Sequence, residues 1–87
     1  MAKTRTENIA YAKSQSISAD GCFAISFFRP SSAAAVQVEG IAIEAGQTLS
    51  IKQSVGDEDW STYQITFDNN QDATNALYVI KVMPIRN

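Results

Sequence analysis

The sequence predicts an all-β fold, a small antiparallel β-sandwich or barrel of about six to eight short strands. Short runs in which apolar and polar residues alternate recur along the chain, and this period of two is typical of half-buried strands. Clusters of Gly, Pro, Asn and Asp separate the runs at roughly even spacing, as turns between strands do. We find no convincing amphipathic helix, internal repeat or linker, so we expect one domain.

The N-terminal residues differ from the rest of the chain. Residues 1–8 are polar and mixed in charge without a period, which predicts a flexible N-terminal arm followed by a single β-sandwich domain over residues 9–87. An alternative is that the arm, counted to residue 13, adds to the sheet edge of a neighbouring subunit, a pairing that uses main-chain hydrogen bonds.

An Asp-Gly pair marks the first clear turn. Asp20 and Gly21 lie between two alternating runs, at residues 9–18 and 22–29. This dipeptide favours the type I′ turn, which requires positive φ at both central residues. We therefore predict a hairpin that joins a strand at residues 9–18 to a strand at residues 22–29.

Five further strands follow Pro30, because proline removes a ladder donor and ends the second strand. Alternation and turn residues place them at residues 34–38, 41–43, 48–52, 62–67 and 75–83. The last of these is apolar on both faces, which is typical of a strand that is central in its sheet or covered by a partner. Phe28 also breaks the alternation of its strand, so the second face of that strand is partly apolar.

The composition excludes most catalytic and metal chemistry. The 87 residues contain no His and a single Cys, Cys22, so His-dependent triads, common zinc patterns and an intrachain disulfide are excluded. The four glycines are widely spaced and form no phosphate-binding loop. We predict a protein that is not an enzyme and uses no cofactor or metal, with Cys22 as a small buried hydrophobe. A domain of this size has a core worth roughly 3–5 kcal/mol, so association with other subunits is the stabilising device that remains.

The charges are unevenly distributed although the net charge is only −2. Residues 20–72 hold eight acidic residues against two basic ones, a net charge of −6. Residues 1–19 (three basic, one acidic) and residues 73–87 (two basic) each carry a net charge of +2. An acidic body with basic ends argues against nucleic-acid binding and permits head-to-tail complementarity between copies. The start of the chain has no apolar stretch of a Sec signal, and no run approaches the ~20 apolar residues of a membrane span, so we expect synthesis in a cytoplasm and no membrane partner.

The acidic loop, residues 53–61, holds the densest charge cluster, Asp57-Glu58-Asp59. One interpretation is a calcium loop, since hard cations take several oxygen ligands, but the EF-hand spacing is absent. A second is a solvated loop between strands. A third is a docking surface for basic residues of a neighbour, such as Lys3 and Arg5 in the basic N-terminal arm.

Aromatic residues near the acidic loop offer two further interpretations. Trp60, with Tyr63 and Tyr78 on nearby strands, can stack on sugar rings in a carbohydrate-binding site. A single Trp at a strand edge is more often a lid on the core or an interface anchor. With the apolar residues of the last strand and the charged groups above, the candidate interface residues are Trp60, Tyr63, Tyr78, Ile80, Val82, Lys3, Arg5, Asp57, Glu58 and Asp59.

Residues 36–51 read as a strand, a Gly turn, a short apolar strand, a second Gly turn and a strand. They are followed by Val55-Gly56-Asp57-Glu58-Asp59 and by the Tyr-x-Ile-x-Phe strand at residues 62–67. Over about residues 33–83 the chain resembles small virion proteins of tailed bacteriophages, the capsid-decorating, auxiliary and head-fibre β-sandwich subunits. The resemblance implies a stabilising or attachment role on a phage particle in many symmetric copies, and it carries over no functional residue.

These observations lead us to expect a non-enzymatic structural virion subunit that self-associates and docks onto a larger assembly such as a phage capsid. The alternative is a small carbohydrate- or ligand-binding β-sandwich module that uses Trp60, Tyr63 and Tyr78.

Overall fold

The fold is all-β, as the alternating sequence predicts. The computed structural model describes residues 4–54 and 56–85, and within them the chain forms eight strands. Their bounds are β1 Thr4–Tyr11, β2 Gln15–Ser18, β3 Ala24–Phe28, β4 Val36–Val38, β5 Ile41–Ile43, β6 Thr48–Lys52, β7 Thr62–Phe67 and β8 Leu77–Pro84.

The strands form two four-stranded antiparallel sheets that pack as a β-sandwich. The first sheet has the order β1-β8-β3-β6, and the second has the order β2-β7-β4-β5. Their inner faces share one apolar core, to which strands of both sheets contribute. Its most deeply buried large side chains are Phe27, Ile25, Ile65, Leu77, Val36, Val38 and Val79.

Strict alternation buries one face of each central strand. In β7, Tyr63, Ile65 and Phe67 are buried while the residues between them are exposed. The ring of Tyr63 packs edge-on against the ring of Phe27 in the first sheet, with centroids 5.6 Å apart. Edge-to-face packing of this kind favours the aromatic quadrupoles, so this pair joins the two sheets at the centre of the core.

The predicted flexible arm is wrong for residues 4–8. They belong to β1, which pairs with β8 without interruption from Thr4 opposite Pro84 to Tyr11 opposite Leu77. The physical reason is that β3 pairs with only one of the two edges of β8. The other edge of this eight-residue strand is therefore available for the N-terminal segment. Residues 1–3 lie outside the described residues, and the sandwich includes β1.

The predicted strand at residues 9–18 is also wrong, because the chain crosses between the sheets within it. Tyr11 ends β1 in the first sheet, and Gln15 begins β2 in the second sheet. Residues 12–14 make the crossing, and the backbone N–H of Ser14 donates to the Asn70 side chain there at 2.9 Å.

The Asp-Gly turn has the predicted backbone conformation but does not close a hairpin. Asp20 has φ 56° and Gly21 has φ 79°, as a type I′ turn requires. The backbone around the turn pairs with the acidic loop instead: Gly21 donates to the carbonyl of Asp59 at 2.8 Å, and Asp59 donates to that of Cys22 at 2.8 Å. The turn therefore carries the chain from β2 in one sheet to β3 in the other.

Several other predictions are confirmed. Strands 41–43, 48–52 and 62–67 have the predicted bounds. Glu39 and Gly40, with φ 52° and 78°, form the turn of the β4–β5 hairpin.

Arg29 ties the sheets together at the end of β3. Its guanidinium donates to the carbonyl of Ala33 at 3.0 and 3.3 Å and to the carbonyl of Ile43 in β5 at 2.9 Å. Its planar fork satisfies two carbonyls from separate segments, so it fixes the loop after β3 against the second sheet.

Candidate interaction surface

The outer face of the first sheet carries an apolar patch along β8. Because residues paired across antiparallel strands point to the same side, the register of β8 with its two neighbours defines this patch. Tyr78 lies between Ala10 of β1 and Phe28 of β3. We name this patch the apolar outer face and define it by Ala10, Ala24, Phe28, Tyr78, Ile80 and Val82. The two residues paired with Ile80, Asn8 of β1 and Ser26 of β3, are polar.

The rings of Tyr78 and Phe28 form the largest part of this face. They stack with centroids 6.3 Å apart and an interplanar angle of 24°. Tyr78 is 38% exposed, and Phe28, Ile80 and Val82 are half-buried. These side chains shield one another partly, and no described segment lies over them.

The outer face of the second sheet is polar, in contrast. Its central strand β7 presents Thr62, Gln64 and Thr66 to solvent. Ser16 of β2 hydrogen-bonds to the Gln64 side chain at 2.7 Å. The first sheet thus has an apolar patch on its outer face whereas the central strand of the second sheet presents only polar residues, and the apolar patch is the stronger candidate for a contact with protein.

Strand β1 forms an edge of the first sheet, with β8 as its neighbour. Arg5 and Glu7 form an ion pair along the strand, on the side that faces the second sheet. Ile9 lies on the same side, next to Val79, yet it is 42% exposed whereas Val79 is 1% exposed. The second sheet therefore leaves β1 uncovered around Ile9, although Tyr11 at the end of the strand packs against the core.

Asp59 and Tyr63 form a buried hydrogen-bonded pair. The Tyr63 hydroxyl donates to Oδ2 of Asp59 at 2.5 Å, and the Ser61 backbone N–H donates to Oδ1 at 2.8 Å. Burial and the hydrogen bond to Asp59 raise the pKa of Tyr63 to about 12. Burial alone would raise the pKa of Asp59, but the hydrogen bonds from Tyr63 and Ser61 outweigh it and leave the pKa below its ordinary value. The pair holds the acidic loop on the core.

Trp60 lies on the surface, over the backbone of the turn. Its side chain is 68% exposed, and its Nε1 donates to Oε1 of Glu58 at 3.2 Å. A Cβ placed on Gly21 would lie 2.6 Å from Cζ2 of the indole, so the ring packs directly on this glycine.

The predicted interface residues thus separate into groups. Tyr78, Ile80 and Val82 lie together on the apolar outer face, and Arg5 lies on the edge strand. Tyr63 and Asp59 are 8% and 3% exposed, so the prediction that they lie on an accessible interface is wrong; their alternation and hydrogen bonds direct them into the core. Lys3 lies outside the described residues.

The described residues form neither a platform for a sugar nor a calcium site. Tyr63 is buried, so Trp60, Tyr63 and Tyr78 form no common platform for a sugar. Asp59 points inward and Glu58 accepts from Trp60, and in residues 4–54 and 56–85 no group of three or more His, Cys, Asp or Glu side chains is placed to hold a metal ion.

Of the other buried polar residues that the structure describes, Lys81 has an ion-pair partner, whereas Oδ1 of Asn75 has no hydrogen-bond partner. Lys81 is 3% exposed on the inner face of β8, and its ammonium pairs with Asp20 at 3.0 Å. Cys22 is buried, as predicted, and burial raises the pKa of its thiol. An open cleft of about 330 Å³ is lined by Arg5, Asp20, Met83, Pro84 and Ile85. Its two charged residues already pair with Glu7 and Lys81.

Sequence reasoning missed part of both surfaces. Ala10 and Ala24 join the apolar outer face only through the register with β8, which alternation does not reveal. Residues 4–8 have no apolar alternation, so their place in β1 depends on the pairing with β8 and not on a local pattern.

Comparisons with protein-family models, with curated proteins and with solved structures found no match to this chain. None of the described segments forms a helix long and apolar enough to cross a membrane.

Proposed function

We propose that this protein is a non-enzymatic structural subunit that self-associates and docks onto a larger protein assembly through the apolar outer face. The observation that carries the proposal is the difference between the two outer faces of the sandwich. One face presents Tyr78, Ile80 and Val82, and the other presents Thr62, Gln64 and Thr66. An apolar sheet face left without cover in a small domain marks a protein contact more often than a solvated surface.

The assembly that we propose is a phage particle, such as its capsid. The support is the resemblance of residues 33–83 to small virion β-sandwich subunits, together with the all-β sandwich fold of the chain. Docking of a flat apolar sheet face, repeated over many symmetric copies, would stabilise a lattice without any chemical step.

Particles purified from the source of the chain provide the test. A tagged chain is localised in them by electron microscopy, and its incorporation is measured by immunoblotting. We expect Ile80→Glu to abolish incorporation, because it places a charge at the centre of the apolar outer face. Thr66→Glu, at the centre of the polar outer face, is the matched control and should incorporate like the wild type.

Two outcomes would overturn the proposal. Absence of the wild-type chain from purified particles would remove the virion role. Equal incorporation of Ile80→Glu and Thr66→Glu would remove the apolar outer face as the docking surface.

A further inference from the structure

We infer that the subunit forms a two-fold symmetric dimer in which β1 pairs antiparallel with β1 of a second copy. The two first sheets would then join into one continuous eight-stranded sheet. This inference rests on the proposed function, because it names the contact by which the subunit self-associates.

The first argument is the nature of the β1 edge. An edge strand directs every second N–H and C=O group away from its neighbour, and these groups can template pairing with another chain. Among the described edge strands, β1 is the longest at eight residues, against four in β2, three in β5 and five in β6. It pairs with β8 in unbroken register, so neither a bulge nor a proline interrupts its free edge.

The second argument is the charge pattern of this edge. Arg5 and Glu7 lie two residues apart on the same side of β1. In an antiparallel pair of identical strands with the two-fold axis at Thr6, Arg5 of each copy lies opposite Glu7 of the other. The four charges then alternate in sign around the axis, so that each ion pair within a strand is joined by ion pairs across the interface. Cross-strand pairs of opposite charge stabilise antiparallel sheets.

This complementarity selects one register. Moving the axis by one residue, to Glu7, would place the two Glu7 carboxylates opposite each other, which is unfavourable. Charged residues on an edge usually prevent pairing between sheets. Here the opposite signs at a spacing of two residues make self-pairing in the Thr6 register favourable.

The third argument is geometric and connects the dimer to docking. The second sheet does not cover the part of β1 that would pair: the Arg5 and Glu7 side chains are 53% and 30% exposed and Ile9 is 42% exposed. A second strand can therefore approach this edge without displacing the other sheet. A two-fold axis perpendicular to the joined sheet keeps both apolar outer faces on the same side. The dimer would thus present one doubled surface to the assembly.

Sedimentation equilibrium of the full chain tests the charge pattern in purified protein. We expect the wild type to dimerise and Arg5→Glu or Glu7→Arg alone to weaken the dimer at least about tenfold. The double variant R5E/E7R restores both cross-strand pairs and should dimerise like the wild type. Mixing R5E with E7R should give a heterodimer, because two acidic side chains then face two basic ones. Lys52→Glu, on the opposite edge of the same sheet, is the control and should leave the dimer unchanged.

Disulfide trapping tests the register. Residues opposite each other in an antiparallel pair have Cα atoms about 4.5–5.5 Å apart, which suits a disulfide. We expect Thr6→Cys to crosslink two copies under mild oxidation, and Thr48→Cys on the β6 edge to remain uncrosslinked. Crosslinking by Ile9→Cys in place of Thr6→Cys would overturn the proposed pairing.

The inference and the proposed function fail separately. A wild type that stays monomeric at high micromolar concentration overturns the dimer, while Ile80→Glu still tests docking in particles. A dimer that Ile80→Glu abolishes and that the single changes Arg5→Glu and Glu7→Arg leave intact also overturns the β1 pairing, and it assigns self-association to the apolar outer face.

Discussion

The ammonium nitrogen of Lys81 lies 3.0 Å from Oδ2 of Asp20, and this ion pair joins a buried side chain to an exposed one. The Lys81 side chain is 4% exposed, on the inner face of β8, whereas that of Asp20 is 57% exposed. Asp20 stands in the turn that carries the chain from the second sheet to the first. The pair therefore attaches this crossing to the central strand of the first sheet, and it gives the buried ammonium its charged partner.

Asp20→Asn should destabilise the fold by about 1–2 kcal/mol, because it leaves a buried ammonium without its carboxylate. Asn tolerates the left-handed backbone of this position, so the change isolates the charge. Urea unfolding of the wild type and the variant measures the difference. Lys81→Met, which replaces the buried charge by an apolar chain, should cost less than Asp20→Asn. Equal stability of Asp20→Asn and the wild type would show that the pair contributes nothing.

Because of this ion pair, we expect part of the free energy of unfolding to be lost at acid pH. The hydrogen bond from Lys81, aided by one from Ser18, lowers the pKa of Asp20 from its ordinary value of 3.8. A lowered pKa in the folded state means that the ionised carboxylate stabilises the fold. This contribution is fully present above 3.8 and is lost as the pH falls below that value towards the lowered pKa.

Unfolding free energies measured from pH 6 down to pH 2 should therefore converge for the wild type and Asp20→Asn as the pH falls. Asp57→Asn, in the exposed part of the acidic loop, serves as the control for the loss of one acidic charge. A constant gap between the wild type and Asp20→Asn across this range would contradict the prediction.

Strand assignments could be predicted wherever local pattern alone decides the structure. Strands 48–52 and 62–67 alternate over their whole length and have apolar residues on one face, so their bounds follow from the sequence. Pairing depends on distant residues instead. The turn at Asp20 and Gly21 has the local conformation of a hairpin turn. Its backbone instead forms hydrogen bonds with Asp59, and the strands on either side of it, β2 and β3, belong to different sheets.

The candidate surfaces could likewise be predicted only in part, because local pattern shows some of their residues and distant contacts decide the burial of others. Tyr78, Ile80 and Val82 stand on one face of a strand that is apolar on both sides, and this is visible in the sequence. Whether Lys81 between them lies in solvent or in the core depends on Asp20, sixty-one positions away along the chain. The burial of Asp59 depends in the same way on the hydroxyl of Tyr63, which a pattern of apolar residues does not reveal.

The Tyr63–Asp59 hydrogen bond predicts a loss of stability at alkaline pH. Burial and the bond to Asp59 raise the pKa of Tyr63 from 10.0 to about 12. The protonated hydroxyl thus stabilises the fold fully below pH 10, and this contribution is lost as the pH rises from 10 to about 12. The loss should be about 3 kcal/mol, from a shift of two pKa units.

Ultraviolet titration of the three tyrosines, with urea unfolding at each pH, measures this effect. Tyr63→Phe should remove the high-pH titration and cost about 1–2 kcal/mol at pH 7, since the buried Asp59 loses a donor. Tyr78→Phe should leave both the high-pH titration and the stability at neutral pH nearly unchanged. Ionisation of all three tyrosines near pH 10 would refute the assignment.

Alanine substitutions at Gly21 and Gly40 form a matched pair that tests the packing of Trp60 on Gly21. Both have positive φ, 79° and 78°, so alanine at either site costs about 1–2 kcal/mol of backbone strain. A Cβ on Gly21 would also lie 2.6 Å from the Trp60 indole, whereas a Cβ on Gly40 would meet no atom within 4 Å. We therefore expect Gly21→Ala to displace the indole and to be the more destabilising of the two in urea unfolding.

The single tryptophan makes this displacement directly observable. In a ¹H–¹⁵N spectrum, the indole Nε1–H signal of Trp60 should move in Gly21→Ala, because the ring leaves its position beside Glu58 and the turn. The signal should stay in place in Gly40→Ala, which keeps the same backbone strain at a site remote from the indole. Equal stability losses in the two variants, with an unmoved indole signal in both, would show that Trp60 does not pack on Gly21 in solution.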